Sequence, residues 1–248
     1  AELNNRFNQL SGLLLTGGHC GFHNTSYGDV AAGLLQRAVE DGNFPVWGTC
    51  QGFQQLAQFS SGAMEPSILH QTGNATEGIG LALDLTASAP TSRLLGNAPE
   101  SVLSALTTSP ITLNLHHYSL LANESTLHPS LRSFWSVLAT NTVDNGPTFV
   151  SLMEGQKLPF YASQFHGEKN AYEFDQPWES YTRINADAVH STPAIKATNY
   201  LVEFFVNETR KSPHRWLDST PGCRLSYEVS PYYTASIATD GWENCFLK

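Results

Sequence analysis

Short apolar runs alternate with amphipathic segments over the first 60 residues, and this alternation constrains the fold more than any other feature. Residues 12–15 and 44–48 are apolar and bounded by turn-forming residues, which is typical of buried strands. Residues 29–41 carry apolar side chains at helical spacing, and residues 52–59 are predicted as a second helix. Strands that alternate with helices favour a mostly parallel central sheet flanked by helices, so we predict an α/β fold.

The rest of the chain extends this sheet, and we assign residues 1–248 to a single domain. Residues 60–110 are rich in Gly, Pro, Ser and Thr and predict loops and short strands. Residues 212–248 predict an irregular tail of the same domain. The other predicted elements are a short strand at 79–85, paired strands at 133–140 and 148–153 around a turn at 144–146, a strand at 160–165, and a long helix at 191–211.

Composition excludes several classes of function. The chain has 13 Lys and Arg against 22 Asp and Glu, a net charge of −9, so it lacks the basic surface that nucleic acids require. No apolar run is long enough to span a membrane. Zinc-type Cys and His spacings and a Gly-rich phosphate loop are also missing, so no metal and no cofactor are implied. We therefore expect a small-molecule substrate and binding to neither nucleic acid nor membrane.

Residues 47–53 are the most informative about chemistry. They place Gly-x-Cys-x-Gly between a predicted strand and a predicted helix, as in a nucleophile elbow. Cys50 then lies at a helix N-terminus, where the helix dipole favours a thiolate. The backbone N–H of Gln51 is directed at the same point and can bind an oxyanion. The alternative is a buried cysteine in an ordinary strand-to-helix turn.

A nucleophilic cysteine needs a base, and His166 follows a predicted strand directly. The carboxyl ends of parallel strands share one edge of a sheet, so Cys50 and His166 are expected to meet there. Glu168, two residues later, can bind the far ring nitrogen and fix its tautomer. Gly18 also follows a strand and can offer its N–H to an oxyanion. The alternatives are a surface histidine at 166 and an ordinary turn at 18.

The order of these motifs resembles the class I glutamine amidotransferase-like superfamily, which has a flavodoxin-like sandwich fold. The resemblance is closer to its γ-glutamyl hydrolase (folylpolyglutamate hydrolase) branch, and it covers essentially the whole chain. The segments similar to that family are 44–53, 114–120, 165–170, 204–211 and 230–233, together with Cys245.

The resemblance implies thiol-dependent hydrolysis of γ-glutamyl amide bonds, with poly-γ-glutamyl folates as substrates, in a homodimer. It implies that Cys50 is the nucleophile, His166 the general base and acid, and Glu168 its orienting partner. The N–H groups of Gly18 and Gln51 would form the oxyanion hole. His116 matches a histidine near the family's active site and is a candidate for substrate binding, with a structural strand histidine as the alternative. Lys169 is a cation suited to a polyanionic substrate.

Two features depart from the family pattern. Gly167 replaces the usual proline, so we expect a looser turn between His166 and Glu168. The family also has a strand–helix–strand unit before the segment that matches residues 10–18, and this unit is absent from the chain. Its absence would leave apolar surface and a strand edge exposed. We therefore expect it to be a bound, cleaved fragment, or simply outside the sequence.

Cysteines and glycosylation sequons favour an oxidising compartment. Cys223 and Cys245 are a candidate disulfide near the C-terminus. Sequons at four asparagines slightly exceed chance and, with a surface poor in Lys, favour a lysosomal, vacuolar or secreted protein over a cytosolic one with free thiols. The candidate glycosylation sites are Asn24, Asn74, Asn123 and Asn207.

Two other functions stay open from the sequence. One is the glutaminase subunit of an amidotransferase, which would pass ammonia to a synthase partner. The other is a non-catalytic glycoprotein that retains the fold. The intact set of Cys50, His166 and Glu168 favours the hydrolase.

Overall fold

The computed structural model describes residues 6–62, 68–123, 128–143, 146–172 and 189–216, together with two short strands at 232–233 and 244–245. The helices are α1 Ser26–Asp41, α2 Gln51–Ser61, α3 Glu100–Thr108, α4 Pro129–Phe134, α5 Lys169–Tyr172 and α6 Thr192–Thr209. The strands are β1 Leu13–Leu15, β2 Val46–Thr49, β3 His70–Gln71, β4 Glu77–Leu81, β5 Asp84–Leu85, β6 Thr112–Leu115, β7 Tyr118–Ser119, β8 Trp135–Thr142, β9 Thr148–Gly155, β10 Phe160–Ser163, β11 Tyr232–Tyr233 and β12 Asn244–Cys245.

A six-stranded sheet with the order β1-β2-β10-β9-β8-β5 forms the centre of the fold. Strands β1, β2 and β10 are parallel, whereas β9, β8 and β5 extend the sheet in antiparallel fashion. The predicted α/β class with a parallel core is thus confirmed. The three parallel strands end at the same edge, and the residues that follow them therefore lie together there.

Alternating side chains on the central strands build a core on each face of the sheet. Val46 and Phe160 belong to the cluster beneath α1 and α2. Their neighbours Trp47 and Tyr161 belong to the cluster beneath α3 and α6. Successive residues of a strand point to opposite faces, so strands buried on both sides are apolar throughout. Each fully buried large side chain contributes about 1.5–3 kcal/mol.

The segment 60–110 contains a helix that the sequence analysis did not predict. Val102, Ala105 and Leu106 are buried at the spacing of one helical face, and they pack α3 into the core. The Ser and Thr residues of α3 give the segment the composition of a loop, although one face of the helix is apolar. This helix is therefore stabilised mainly by tertiary packing of its apolar face.

Two predicted strands also differ from the structure. The segment 79–85 divides into β4, which pairs with β6, and β5, which pairs with β8. Leu83 lies between them, and its N–H donates to the Leu106 carbonyl at 2.7 Å instead of to a strand. The segment 133–140 starts within α4, and its strand begins only at Trp135. The tip of the predicted turn at 144–146, and most of the tail after residue 216, lie outside the described residues.

The glycines of the elbow allow α2 to lie very close to the parallel strands. A Cβ added to Gly52 would lie 2.1 Å from the carbonyl oxygen of Leu15, and one added to Gly48 would lie 2.5 Å from the backbone of Gly52. No side chain fits at either position without moving backbone. This close approach fixes the N-terminus of α2 against β1 and β2.

Strand β1 pairs only with β2 within the described residues, so its other edge carries no strand. Leu14 on this strand is 55% exposed, and Val202 and Val206 of α6 are also exposed. These side chains line a largely apolar cavity of about 370 Å³. Among the described helices, none has both the length and the apolar character needed to cross a membrane.

Candidate active site

Cys50 lies between β2 and α2 in a backbone conformation that L-residues rarely adopt. Its φ is 52° and its ψ is −103°. Such a conformation costs roughly 1–3 kcal/mol and persists only where neighbouring contacts hold it. The N–H of Cys50 donates to the carbonyl of Ser163 at 2.8 Å, and its Sγ lies 3.7 Å from the carbonyl oxygen of Leu115. The thiol therefore lies beside Leu115, the last residue of β6, and beside His166, which follows β10.

His166 forms a hydrogen bond with Glu168 on one side and with Cys50 on the other. Its Nδ1 lies 2.6 Å from Glu168 Oε1, so the opposite ring nitrogen is available to the thiol. Burial lowers the pKa of His166, but the hydrogen bonds to Cys50 and Glu168 outweigh it and raise that pKa to about 10. The ring therefore carries a positive charge at neutral pH.

Glu168 is the charged partner of this ring. Burial alone raises the pKa of Glu168, but the hydrogen bond to His166 and the charge of Lys169 lower it overall. Lys169 begins α5 next to it and contributes positive charge at this edge. The hydroxyl of Thr198 on α6 donates to the Gly167 carbonyl at 2.5 Å and fixes the turn between His166 and Glu168.

Gly17 brings the elements of the site together. A Cβ added to Gly17 would lie 2.6 Å from Cε1 of His166 and 3.6 Å from Cβ of Cys50. The turn after β1 therefore touches both side chains, and only a residue without a side chain fits there. The sequence pattern pointed only to the neighbouring Gly18, and the contact made by Gly17 was not predicted from it.

Two backbone N–H groups, in the residues that follow Gly17 and Cys50, are available to a ligand. Within the described part of the chain, neither the N–H of Gly18 nor that of Gln51 donates a hydrogen bond. Gln51 is also the first residue of α2, where helix N–H groups have no partner within the helix. These are the two groups predicted as oxyanion donors.

His116 is buried in a polar network beside the site. Its Nε2 lies 3.0 Å from Asn114 Oδ1, and its Nδ1 lies 3.1 Å from both the Tyr118 carbonyl and Ser119 Oγ. Burial, and then repulsion from His166, lower the pKa of His116 to about 3. Its ring is therefore neutral at physiological pH, with both nitrogens in contact with protein atoms.

The remaining candidate residues lie apart from the site or outside the described residues. Cys20 and Cys50 are free thiols, whereas Cys223 is not described and nothing is described of the Cys245 side chain. The described sequon asparagines Asn24, Asn123 and Asn207 are exposed, and the side chain of Asn74 is not described. Among the described residues, no group of three His, Cys, Asp or Glu side chains is arranged to bind a metal ion.

Comparison with known proteins places this chain in a family. The model of the glutamine amidotransferase class-I family matches residues 2–180. The chain is 36% identical to human gamma-glutamyl hydrolase over 246 residues, which are 97% of this chain and 72% of that protein. It is 33% identical to Dictyostelium discoideum gamma-glutamyl hydrolase B, covering 92% of this chain and 64% of that protein. The chain belongs to the γ-glutamyl hydrolase family. As a member of this family, the protein is a hydrolase.

Solved structures support the fold assignment. A glutamine amido transferase from Methylobacillus flagellatus has a TM-score of 0.52 at 16% identity, covering 85% of this chain and 80% of the other. The glutaminase domain of Trypanosoma brucei CTPS with bound acivicin has a TM-score of 0.50 at 17% identity, with coverages of 90% and 80%. At these identities the likeness establishes the fold of this γ-glutamyl hydrolase family member and not its substrate.

Proposed function

We propose that the protein hydrolyses γ-glutamyl amide bonds and that poly-γ-glutamyl folates are its substrate class. The names of its relatives support the bond type, and the site offers a nucleophile, an acid–base group and oxyanion donors for amide hydrolysis. Lys169 places a positive charge beside the site, where it can attract a polyanionic polyglutamate chain. The protein as a whole has a net charge of −9, which does not favour binding of a polyanion.

Acylation begins with the thiolate of Cys50 paired with protonated His166. The sulfur attacks the amide carbonyl carbon, and the oxyanion accepts hydrogen bonds from the N–H groups of Gly18 and Gln51. His166 then donates its proton to the amide nitrogen, the C–N bond breaks, and the amine leaves. The product is a thioester between Cys50 and the γ-carbonyl.

Deacylation reverses the roles of the same groups. Neutral His166 takes a proton from water, whose oxygen attacks the thioester carbonyl. The C–S bond breaks and the carboxylic acid leaves, which restores the thiolate and the imidazolium. Throughout, Glu168 holds the ring through its 2.6 Å hydrogen bond and stabilises the positive charge.

One observation supports this proposal above the others. The His166 ring is hydrogen-bonded to both Cys50 and Glu168, and a single glycine, Gly17, lies against His166 and Cys50. A buried cysteine with only a packing role does not need a charged, oriented imidazole beside it.

The test is glutamate or γ-glutamyl peptide release from a poly-γ-glutamyl folate between pH 4.5 and 7. Wild type is compared with Cys50→Ala and His166→Ala, and with His117→Ala as a matched control. His117 follows His116 in the chain and is also a histidine near the site. Its half-exposed ring lies 3.7 Å from the Glu77 carboxylate, so it serves as a histidine with no proposed part in the reaction. We expect turnover by wild type and His117→Ala and none by the other two variants.

Other outcomes would reject parts of the proposal. Turnover by Cys50→Ala would remove the thiol mechanism. Release of ammonia from glutamine, without cleavage of the polyglutamate, would favour the glutaminase alternative. No turnover of either substrate by folded protein would favour the non-catalytic alternative.

We also propose that the open edge of β1 is covered by a strand–helix–strand segment supplied with the chain, as part of the same precursor. Leu14, Val202 and Val206 present apolar surface beside the edge of β1 that pairs with no described strand, and such a segment would bury this surface. The assay should therefore use protein produced from the longest precursor. The N–H of Leu13 already donates to the Pro45 carbonyl in β2, so the N–H of Leu14 points to the open edge. Protection of the Leu14 N–H from hydrogen exchange only in that material is the expected result, and equal exchange in both preparations would reject the segment. From the sequons, the candidate disulfide and the surface poor in Lys, we also propose that the protein belongs to a lysosomal, vacuolar or secreted compartment.

A further inference from the structure

The side chain of Gln51 binds the loop that follows Gly18. Its Oε1 accepts a hydrogen bond from the N–H of Cys20 at 3.2 Å, and its Nε2 donates to the carbonyl of the same residue. A single buried carboxamide thus satisfies both backbone groups of one residue, 31 positions earlier in the chain. Gln51 is only 4% exposed.

This contact supplies order that the loop lacks by itself. The residues after β1 up to position 22 form neither helix nor strand, and Cys20 is exposed. A backbone N–H group can stabilise an oxyanion only if it is held in place before the reaction. The Gln51 carboxamide fixes this loop two residues after Gly18.

The fit between Gly18 and Gln51 is close. A Cβ added to Gly18 would lie 2.5 Å from Gln51 Oε1, so the carboxamide passes directly over this glycine. The backbone of Gln51 also carries the other proposed oxyanion donor. One residue therefore determines the relative position of both N–H groups.

We propose that the Gln51 side chain is a positioning residue that sets the geometry of the oxyanion hole by binding Cys20. The inference rests on the proposed function, because it assigns a role within that reaction. One part of the inference does not depend on the substrate, namely that the Gln51 side chain orders residues 18–20. The thiol of Cys20 has no part in it, because both contacts are made by backbone atoms.

The first test replaces Gln51 with Met, which has a similar length but neither hydrogen bond. We expect kcat to fall roughly 100-fold with KM nearly unchanged, because the lost contact matters mainly in the transition state. Gly18→Ala should have the same effect, because its Cβ displaces the carboxamide. Gln58→Met is the matched control, since Gln58 is equally buried on α2 but its side-chain amide has no partner among the described residues. It should keep wild-type kcat.

The second test distinguishes positioning from packing. In Gln51→Glu, a protonated carboxyl can accept from the Cys20 N–H and donate to its carbonyl, whereas a carboxylate repels that carbonyl. The ratio of Gln51→Glu to wild-type kcat should therefore rise as pH falls from 7 to 4.5. A ratio that does not change with pH, or a Gln51→Met variant with wild-type kcat, would overturn the proposal.

Hydrogen exchange provides a readout that does not need turnover. The N–H of Cys20 should exchange at least tenfold faster in Gln51→Met than in wild type, while α2 and β2 keep their protection. Unchanged exchange would overturn the inference. This exchange does not depend on turnover, so it tests the contact between Gln51 and Cys20 even in a protein that cleaves no γ-glutamyl substrate. Absence of wild-type turnover, with the difference in Cys20 exchange retained, would reject the proposed function alone.

Discussion

The parallel strands β1, β2 and β10 and the antiparallel pair β8 and β9 belong to one sheet but are stabilised in different ways. Around the parallel strands, Gly48 and Gly52 allow backbone to approach backbone, and Gly17 lies against the side chains of Cys50 and His166. Cys50 adopts a positive φ, and His166 is buried with a charge. These features hold the catalytic side chains in one arrangement, and they do not maximise the free energy of unfolding.

The antiparallel pair depends on side-chain burial. Leu138, Phe149 and Leu152 are all fully buried, and they contribute to packing on both strands. Its buried polar groups are paired, since Ser151 Oγ donates to Asn141 Oδ1 at 2.7 Å. Nothing in this pair requires an unusual backbone angle.

The difference indicates that activity and stability can be altered separately in this protein. A small added group near the parallel edge should displace a catalytic side chain and leave most of the core intact. A small deletion in the antiparallel pair should weaken the core and leave the site intact in the molecules that remain folded.

Gly17→Ala should produce the largest effect. The added Cβ would lie 2.6 Å from the His166 ring and must displace it from Cys50. Loss of positioned acid–base catalysis lowers kcat/KM by roughly 1000-fold. The measurement is steady-state hydrolysis together with thermal unfolding. Gly62→Ala is the control for kcat/KM, because a Cβ there meets nothing within 4 Å and Gly62 caps the end of α2 opposite to Cys50. Its φ of 70° strains an alanine, so this variant should lower the unfolding temperature without lowering kcat/KM. Wild-type kcat/KM in Gly17→Ala would contradict the site geometry.

Leu152→Ala tests the other region. This side chain is fully buried in β9, so its truncation should lower the free energy of unfolding by about 3 kcal/mol. Urea unfolding gives this quantity, and kcat/KM at a temperature where the variant is folded should equal that of wild type. A large loss of kcat/KM in folded Leu152→Ala would show that the two regions are coupled.

Glu168→Gln should lower kcat/KM roughly tenfold at neutral pH, because the imidazolium loses its charged partner. The hydrogen bonds to Cys50 and Glu168 together raise the pKa of His166 to about 10. The variant loses the charge of Glu168, so the alkaline limb of the pH profile should move to lower pH. An unchanged alkaline limb would argue against the role of Glu168.

The same pair gives a stability prediction with a definite sign. Because the folded-state pKa of Glu168 is lowered, its contribution is present above its unfolded pKa and is lost as pH falls through the folded value. Because that of His166 is raised, its contribution is present below its unfolded pKa and is lost as pH rises toward about 10. The difference in Tm between wild type and Glu168→Gln should therefore be greatest between roughly pH 4.5 and 6.5.

Tyr161→Phe should have the smallest effect. The hydroxyl of Tyr161 on β10 donates to Glu208 Oε2 at 3.1 Å, and Glu208 keeps Lys211 as a partner in the variant. We expect a loss of about 1 kcal/mol in the free energy of unfolding and no change in kcat/KM. A loss above about 3 kcal/mol would mean that β10 resembles the antiparallel pair in its dependence on side chains.

Local patterns were sufficient to predict much of the fold. The segments that became α1, α2, β1, β2 and β10 were recognised because their periodicity is complete within a few residues. Helix α3 was missed because its Ser and Thr content resembles a loop and only packing identifies its buried face. The segment 79–85 was divided because its two halves found partners far away in the chain.

The candidate site shows the same division. Cys50, His166 and Glu168 were chosen from the sequence because each follows a strand in a recognisable motif. No sequence signal pointed to the contact of Gly17 with both side chains, or to the hydrogen bond from Thr198 that fixes the Gly167 turn. These contacts join residues that are far apart in the chain.

The sequence by itself determined the α/β class, the strand ends at which chemistry was expected, and the residue types available there, because these follow from periodicity and short motifs. The tertiary structure decided which groups touch. It placed Gly17 against His166, gave that ring its raised pKa, and brought the carboxamide of Gln51 to Cys20. Such contacts depend on how close two segments approach, and a difference of about 1 Å, which no local pattern encodes, is enough to make or break them.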